Sequence, residues 1–258
     1  MPTAWSPSQY ERFRSERLEP VHDLVALVEP GVRRALDLGC GTGEPTELLL
    51  AHLGGAADIE GLDSSPEMLA RAAPRASARM RFRQGDIASL ESFAGFDLVF
   101  SNAALHWVPD HRALFRRLLG TLAPGAQLAL QMPNNQHHPA HVAASEVARQ
   151  EPFAGWLGGF VQRSAVEPLE RYAAWLWEAR VARVRLFERV YCHTLDRAAD
   201  VAEWLKGSLL LPYLERLDAE QARAFLDAHA ARLRDVIGED APYLYTFRRM
   251  FVWARTAG

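Results

Sequence analysis

Three glycines and three acids set the chemistry open to this chain. In Arg34-Ala-Leu-Asp-Leu-Gly-Cys-Gly-Thr-Gly43, positions 35, 36 and 38 read as a short buried strand. Gly39, Gly41 and Gly43 let the turn after it bend sharply and bring bare backbone close to a ligand. Asp63 lies twenty residues beyond Gly43 at the end of the next apolar run, where a carboxylate can accept both ribose hydroxyl hydrogens. The pattern marks a nucleoside pocket, with a ligand-free strand-to-helix turn as the alternative. A dinucleotide fits badly: the spacing is G-x-G-x-G, Asp37 precedes the first glycine and Glu44 follows the last, and acids there repel phosphate and attract a cation. A nucleoside with positive charge and no phosphate suits it better. S-adenosylmethionine, which carries a sulfonium and an ammonium, is one.

The elements that must hold these residues follow from hydrophobic patterning. Strand-like runs at 33–38, 57–62, 79–84, 96–101 and 126–132 alternate with helical patterns at 44–53, 66–73 and 110–122, which predicts an α/β fold with a doubly wound, mainly parallel sheet. Asp110 is a candidate N-cap, with Ala113, Leu114, Leu118 and Leu119 as the buried stripe and Arg112, Arg116 and Arg117 facing water. After Pro133 the alternation stops. The stretch to about 182 reads as an insertion with a helix over 165–180; strands return at 183–195 and from Tyr243 to Ala254, completing seven, with helices at 198–206 and 218–237 between them.

At 258 residues and 49% hydrophobic content the chain can bury one large core, so a single domain over 1–258 is expected. A net charge of −3 and the lack of a basic run interleaved with aromatics argue against nucleic acid. No apolar stretch approaches the ~20 residues that span a bilayer and no basic-then-apolar leader is visible, so no membrane partner and a cytoplasmic location are expected. Cys40 and Cys192 lack a metal or redox spacing and read as free thiols. Monomer is the default.

With the glycine turn, the ribose acid and the strand order together, the chain resembles class I S-adenosylmethionine-dependent methyltransferases. From Trp5-Ser-Pro-Ser-Gln-Tyr10 with Phe13, Arg14, Arg17 and Pro20, through Asp63-Ser-Ser-Pro-Glu-Met68, Gly85-Asp-Ile87, Ser101 to His111 and Gln131-Met-Pro-Asn134, to Phe247–Ala254, it is similar to the trans-aconitate methyltransferases. The resemblance implies S-adenosyl-L-methionine as cofactor and a small-molecule carboxylic acid as acceptor. It also implies a lid and first helices over 1–30, a cofactor-binding core over 31–133, a helical cap over 134–182 and 196–240, and final strands at 183–195 and 241–258. Asp37 and the three glycines would line the methionine end, Asp63 would hold the ribose, Asp86 and Ile87 the adenine, and Asn102 and Ala103 would sit beneath the methionine portion, with Ser64, Met68 and Trp107 also among the cofactor-binding residues. Asp86 could instead cap a short helix at Ala88, and Asn102 close a turn. Tyr10, Arg14 and Arg17 would sit on the lid, for which an ordinary amphipathic helix is the alternative.

Methyl transfer from a sulfonium is an in-line displacement that needs alignment in a dry site. An alcohol or phenol acceptor usually wants a base, whereas a carboxylate with pKa near ~4 is already ionised. No clear catalytic dyad is visible, which fits a carboxylate; methylation of a hydroxyl, ring carbon or nitrogen with His106 or His193 as base stays open, as does a binding module without turnover. Candidates around the reacting atoms are His106 and Trp107, and on the acceptor side Asn134, Tyr191, His193, Trp204, Tyr213 and Arg248. His137, His138 and His141 suggest a metal, but no nearby acid or cysteine completes a set and Pro139 argues for a loop, so no metal is expected. The family's segment near 204–214 commonly has an arginine before the proline. Here that position is Leu211, which points to a more apolar pocket unless Lys206 or Arg248 compensates.

Overall fold

The computed structural model describes residues 14–258. Strands β1 (Arg34–Leu38), β2 (Asp58–Asp63), β3 (Met80–Gln84), β4 (Leu98–Asn102) and β5 (Gln127–Pro133) are joined by helices α2 (Glu44–Leu53), α3 (Pro66–Ala72) and α4 (His111–Thr121), after a leading helix α1 (Arg14–Val25). With β6 (Arg183–Leu195) and β7 (Tyr243–Arg255) they form one seven-stranded sheet in the order β3-β2-β1-β4-β5-β7-β6. The pairs β2–β3, β1–β2, β1–β4 and β4–β5 are parallel and β5–β7 is antiparallel. The doubly wound reading therefore holds. The strand order reverses between β1 and β4, the point at which such sheets open a crevice beyond their carboxyl ends.

The described chain clusters into two compact units. The larger comprises residues 17–134, 165–189 and 249–258. One face of its sheet buries Leu36, Leu38, Val99, Leu128, Leu130, Met250 and Val252 in a continuous apolar core. Helix α4 starts as the sequence requires, Asp110 Oδ1 accepting the Ala113 amide at 2.9 Å. Its buried stripe is His111, Leu114, Phe115 and Leu118, while Ala113 and Leu119 are only half-buried. Arg112 and Arg116 face water. Arg117 does not: its guanidinium donates to the carbonyls of Leu90 and Ala88 at 3.0 Å each, closing the loop after β3 onto the helix.

The helix expected over 165–180 forms as α6 (Leu169–Glu178), but it packs in this core rather than with the cap. The cause is Tyr172, which is fully buried, packs at a tilt against Phe115 with ring centroids 5.0 Å apart and bonds His111 Nδ1 at 2.5 Å. His111 Nε2 reaches the Leu105 carbonyl at 2.8 Å. Since that carbonyl can only accept, the proton is on Nε2, and Nδ1 accepts from the tyrosine hydroxyl.

The smaller unit comprises described residues 14–16, 135–164 and 190–248. It contains α5 (Pro139–Ala148), α7 (Asp200–Lys206), α8 (Leu211–Leu214) and α9 (Ala219–Ile237), packed around Val147, Phe153, Trp204, Tyr213, Phe225 and Tyr245. Asp218 and Gln221 form a reciprocal cap at the start of α9. The histidine stretch is a loop only in part: His137 lies in a turn and His138 just before α5, whereas His141 is inside the helix. Pro139 occupies the first turn of α5, where its missing N–H costs nothing, and His138 Nδ1 caps the helix by accepting the Ala140 amide at 3.2 Å. His141 lies within α5 and is held neutral, its pKa pushed down to about 3 by burial and by the neighbouring His138 and His229. Among the described residues no helix is long and apolar enough to cross a membrane.

Candidate active site

The glycine turn leaves β1 and is fixed from two neighbouring strands. The amides of Gly39 and Cys40 donate to the Leu62 carbonyl at 2.7 and 3.0 Å. Gly39 has φ +74°, and a Cβ there would lie 2.1 Å from that of Ala104, so no larger residue fits between β1 and the loop after β4. At Gly41, with φ +56°, a Cβ would meet no atom of the described residues within 4 Å. Gly43 caps α2. Ser101 Oγ donates to the Leu38 carbonyl at 2.7 Å, tying the end of β4 to the end of β1.

The two acids behind the turn are held differently. Asp63 is half-buried, and its Oδ2 and Oδ1 accept the amides of Gly41 and Ser65 at 2.8 and 2.9 Å. Each oxygen keeps a second lone pair. Asp37 is fully buried. Its Oδ2 accepts the Thr46 hydroxyl at 2.7 Å, and its Oδ1 has no partner among the described residues. Burial raises its pKa to about 7, the Thr46 bond opposes this and the Asp63 charge adds to it. Burial, and then the charges of Asp37 and Asp63, push the Cys40 thiol well above its usual range, so it is an inert packing group. Asp86 is exposed at the end of β3 and does cap the short turn beyond it, Oδ1 accepting the Ala88 amide at 2.9 Å; Oδ2 stays available. Buried Ile87 directs its Cδ1 toward Gly39. Ser64 is exposed and Met68 half-buried.

The ends of β4, β5 and β7 form the opposite side of the same sheet opening. Ala103 is a non-glycine residue with φ +51°, held there because its amide donates to both the backbone oxygen and Oε1 of Gln131 at 2.9 and 3.2 Å. Asn102 Oδ1 and Gln131 Nε2 are buried without partners among the described residues. His106 Nδ1 is likewise buried and unpartnered, and its pKa is pushed down to about 3 by burial, by the Arg249 guanidinium and by His111. Trp107 is half-exposed, its ring 4.8 Å from that of His106. Asn134 donates to Glu188.

The remaining acceptor candidates fall in the smaller unit, and the structure joins only some of them. Tyr191, His193 and Trp204 form one buried aromatic run, with His193 stacked on Trp204 at 5.0 Å and Trp204 against Tyr245 and Phe247. Tyr213 stands apart: it stacks on Phe225 at 5.1 Å, and its hydroxyl accepts the Gln162 amide at 3.0 Å. Leu211 opens α8. Arg248 is exposed. Its neighbour Arg249 is the buried one, at 6% exposure. Tyr10 lies outside the described residues, and of Arg14 and Arg17 only the backbone, in α1, is described.

Sequence reasoning passed over Thr46, Gln131 and Arg249. The signals were present for two of them: Gln131 is an amide inside an apolar strand, and period-two alternation in β7 groups Arg249 with buried Tyr245 and Phe247.

Comparison with known proteins adds the family. A family model described as a methyltransferase domain matches residues 35–125. The trans-aconitate 2-methyltransferase of Methylobacterium nodulans is 40% identical over 255 residues, spanning 97% of this chain and 98% of that protein. That of Deinococcus radiodurans is 40% identical over 259 residues, with the same coverage of 97% and 98%. Among solved structures, the YcgJ protein of Bacillus subtilis aligns with TM-score 0.57 and 17% identity over 93% of this chain and 99% of its own. A phosphoethanolamine N-methyltransferase 2 of Haemonchus contortus in complex with S-adenosyl-L-methionine aligns with TM-score 0.54 and 16% identity over 99% of this chain and 61% of its own. At such identities the last two establish a shared fold.

Proposed function

Because the chain belongs to the trans-aconitate 2-methyltransferase family, with relatives 40% identical over nearly their whole length, we propose that it methylates a carboxylate of a small acid from S-adenosylmethionine, trans-aconitate being the first candidate. The residues present fit that cofactor. Among the described residues nothing stands within 4 Å of a Cβ built on Gly41, which leaves its bare backbone open to a ligand. The remaining lone pairs of Asp63 suit ribose hydroxyls, and Oδ2 of Asp86 with the Ile87 side chain suits an adenine edge.

The observation that carries the reading is Asp37. A buried carboxylate with one oxygen unpartnered, beside a second acid and with no basic residue in the turn, calls for a cation. When bound, S-adenosylmethionine supplies a methyl carbon on a positive sulfur: the acceptor oxygen forms the new O–C bond, the C–S pair stays on sulfur, and no proton moves. The protein therefore has to align and desolvate. His106, held neutral down to pH ~3, is too weak a base to take a proton from an alcohol or phenol. A carboxylate needs none. Trp107 next to it offers a ring face to positive charge, worth about 0.5–2 kcal/mol.

The test is release of S-adenosylhomocysteine over a panel of mono-, di- and tricarboxylic acids, with an alcohol, a phenol and an amine as controls. Turnover is expected with acids alone, and kcat at saturating cofactor should be level from about pH 6 to 9. Turnover confined to the controls, or a kcat that falls with a histidine-like inflection near neutrality, overturns the carboxylate assignment.

A further inference from the structure

The antiparallel pairing of β5 with β7 places Arg249 opposite Pro133 and Phe251 opposite Gln131. Residues opposite one another project to the same face, and alternate residues share it, so Arg249 and Gln131 lie on one face of the sheet. Parallel register carries that face across the sheet: Gln131 is opposite Asn102, and Phe100, two residues earlier, is opposite Asp37. Arg249 is thus on the Asp37 side of the sheet, at the carboxyl ends of the parallel strands. It is buried, as is Gln131. Gln131 is oriented by its own strand neighbour, Oε1 taking the Ala103 amide, which leaves Nε2 buried with no partner among the described residues. A guanidinium fork and a primary amide donor on one buried face match the two oxygens of a carboxylate.

A bidentate arginine occupies both oxygens of the group it holds, and donors on a nucleophilic oxygen lower its reactivity. The carboxylate that accepts the methyl group has to keep a free lone pair toward it. We propose that Arg249, with Gln131 Nε2, seats a second, non-reacting carboxylate, so that the enzyme selects di- and tricarboxylic acids over monocarboxylic ones. This rests on carboxyl methylation as the reaction. It gives the buried Arg249, rather than the exposed Arg248, the part of acid anchor.

The experiment compares wild type, Arg249→Gln and Gln131→Glu on trans-aconitate, a dicarboxylic acid and a monocarboxylic acid of similar size, with cofactor affinity measured separately by calorimetry. For Arg249→Gln, kcat/KM on the polycarboxylic acids is expected to fall about 100-fold, as for loss of one partner of a buried charge pair, while the monocarboxylic acid changes less than about threefold. Gln131→Glu keeps Oε1 and presents charge to the anion, so it should lose activity on the same acids, and cofactor affinity should hold in both variants. Arg249→Gln should also raise the His106 pKa, read by NMR, a shift that does not depend on turnover. Equal losses on all acids, a preference for polycarboxylic acids that survives both variants, or a loss of cofactor affinity overturns the anchor. Should Arg249→Gln not fold, Gln131→Glu decides alone. Wild-type turnover on no acid refutes the reaction itself and is recognised before any variant is made.

Discussion

The two sides of the opening at the carboxyl ends of the sheet are built from different material. Around β1, β2 and β3 the geometry is set by backbone: amides of Gly39, Cys40, Gly41 and Ser65 are bonded to the Leu62 carbonyl and the Asp63 carboxylate, and at Gly39 both the left-handed conformation and the contact with Ala104 exclude a larger residue. Around β4, β5 and β7 it is set by side chains, several with buried polar atoms that nothing in the described fold satisfies, namely Asn102 Oδ1, His106 Nδ1 and Gln131 Nε2. Such atoms are costly to bury unpaired. Polar groups bonded within the fold hold its shape, and those left unbonded mark what a ligand must bring. Substitutions should therefore damage fold and ligand binding together on the first side, and ligand binding alone on the second.

The largest effect is expected at Gly39→Ala. The new methyl would stand 2.1 Å from Ala104 Cβ, and the backbone would keep a left-handed conformation. Overpacking and the αL cost together amount to about 2–5 kcal/mol. Urea unfolding should show that loss, and cofactor binding should fall below detection. Adding Ala104→Gly relieves the contact but not the αL cost, so the double variant should recover stability in part. A Gly39→Ala protein within about 0.5 kcal/mol of wild type would break the contrast on its firmest side.

Asp37 is the exception on the backbone side, a carboxylate with one oxygen still unpartnered, and it should show itself through pH. Its folded-state pKa of about 7 lies above the ordinary 3.8, so the stability it lends to the cofactor-free protein is complete below pH ~4 and lost as pH rises through ~7. A cationic ligand captures the ionised form that this rise creates. Cofactor affinity measured by calorimetry should consequently increase about tenfold between pH 6 and pH 8. In Asp37→Asn it should be weak and level over the same span. Steeper binding at low pH, or an unaltered slope in the variant, would mean that Asp37 does not meet the positive charge.

What the sequence disclosed divides along the same line. Strands β1 to β5 and helix α2 are legible nearly to the residue, because most of them stop at a residue with a local cause: β1 at Gly39, β2 at Asp63, β3 before Gly85 and β5 at Pro133. The backbone side of the site was legible for the same reason: Asp37, Gly39, Gly41 and Asp63 stand at element ends. Arg249 was not, because choosing it over Arg248 requires the phase of β7, and two adjacent arginines look alike until Tyr245 and Phe247 are known to point inward. Helix α6 is legible as a helix but its neighbours are not, since the bond between Tyr172 and His111 joins residues 61 apart in the chain. Pro139 looks like a helix breaker in the sequence and is a helix starter in the fold, a distinction that depends only on which turn it occupies.

The smallest effect concerns Tyr213, whose residue type suggested acceptor binding. Its hydroxyl already accepts the Gln162 amide and is bonded by Ser145, and its ring is stacked on Phe225 in the core of the smaller unit. A polar atom satisfied in this way belongs with those that hold shape. Tyr213→Phe keeps the ring and removes the hydroxyl, leaving a part-buried amide without its acceptor, which should cost about 1 kcal/mol in urea unfolding. The KM for the acid and kcat should stay within about twofold of wild type, a change below ~0.5 kcal/mol. A rise in KM of tenfold or more with stability unchanged would show that a hydroxyl bonded within the fold can still be the one that meets the substrate. The division between bonded and unbonded polar groups would then not separate structure from recognition in this protein.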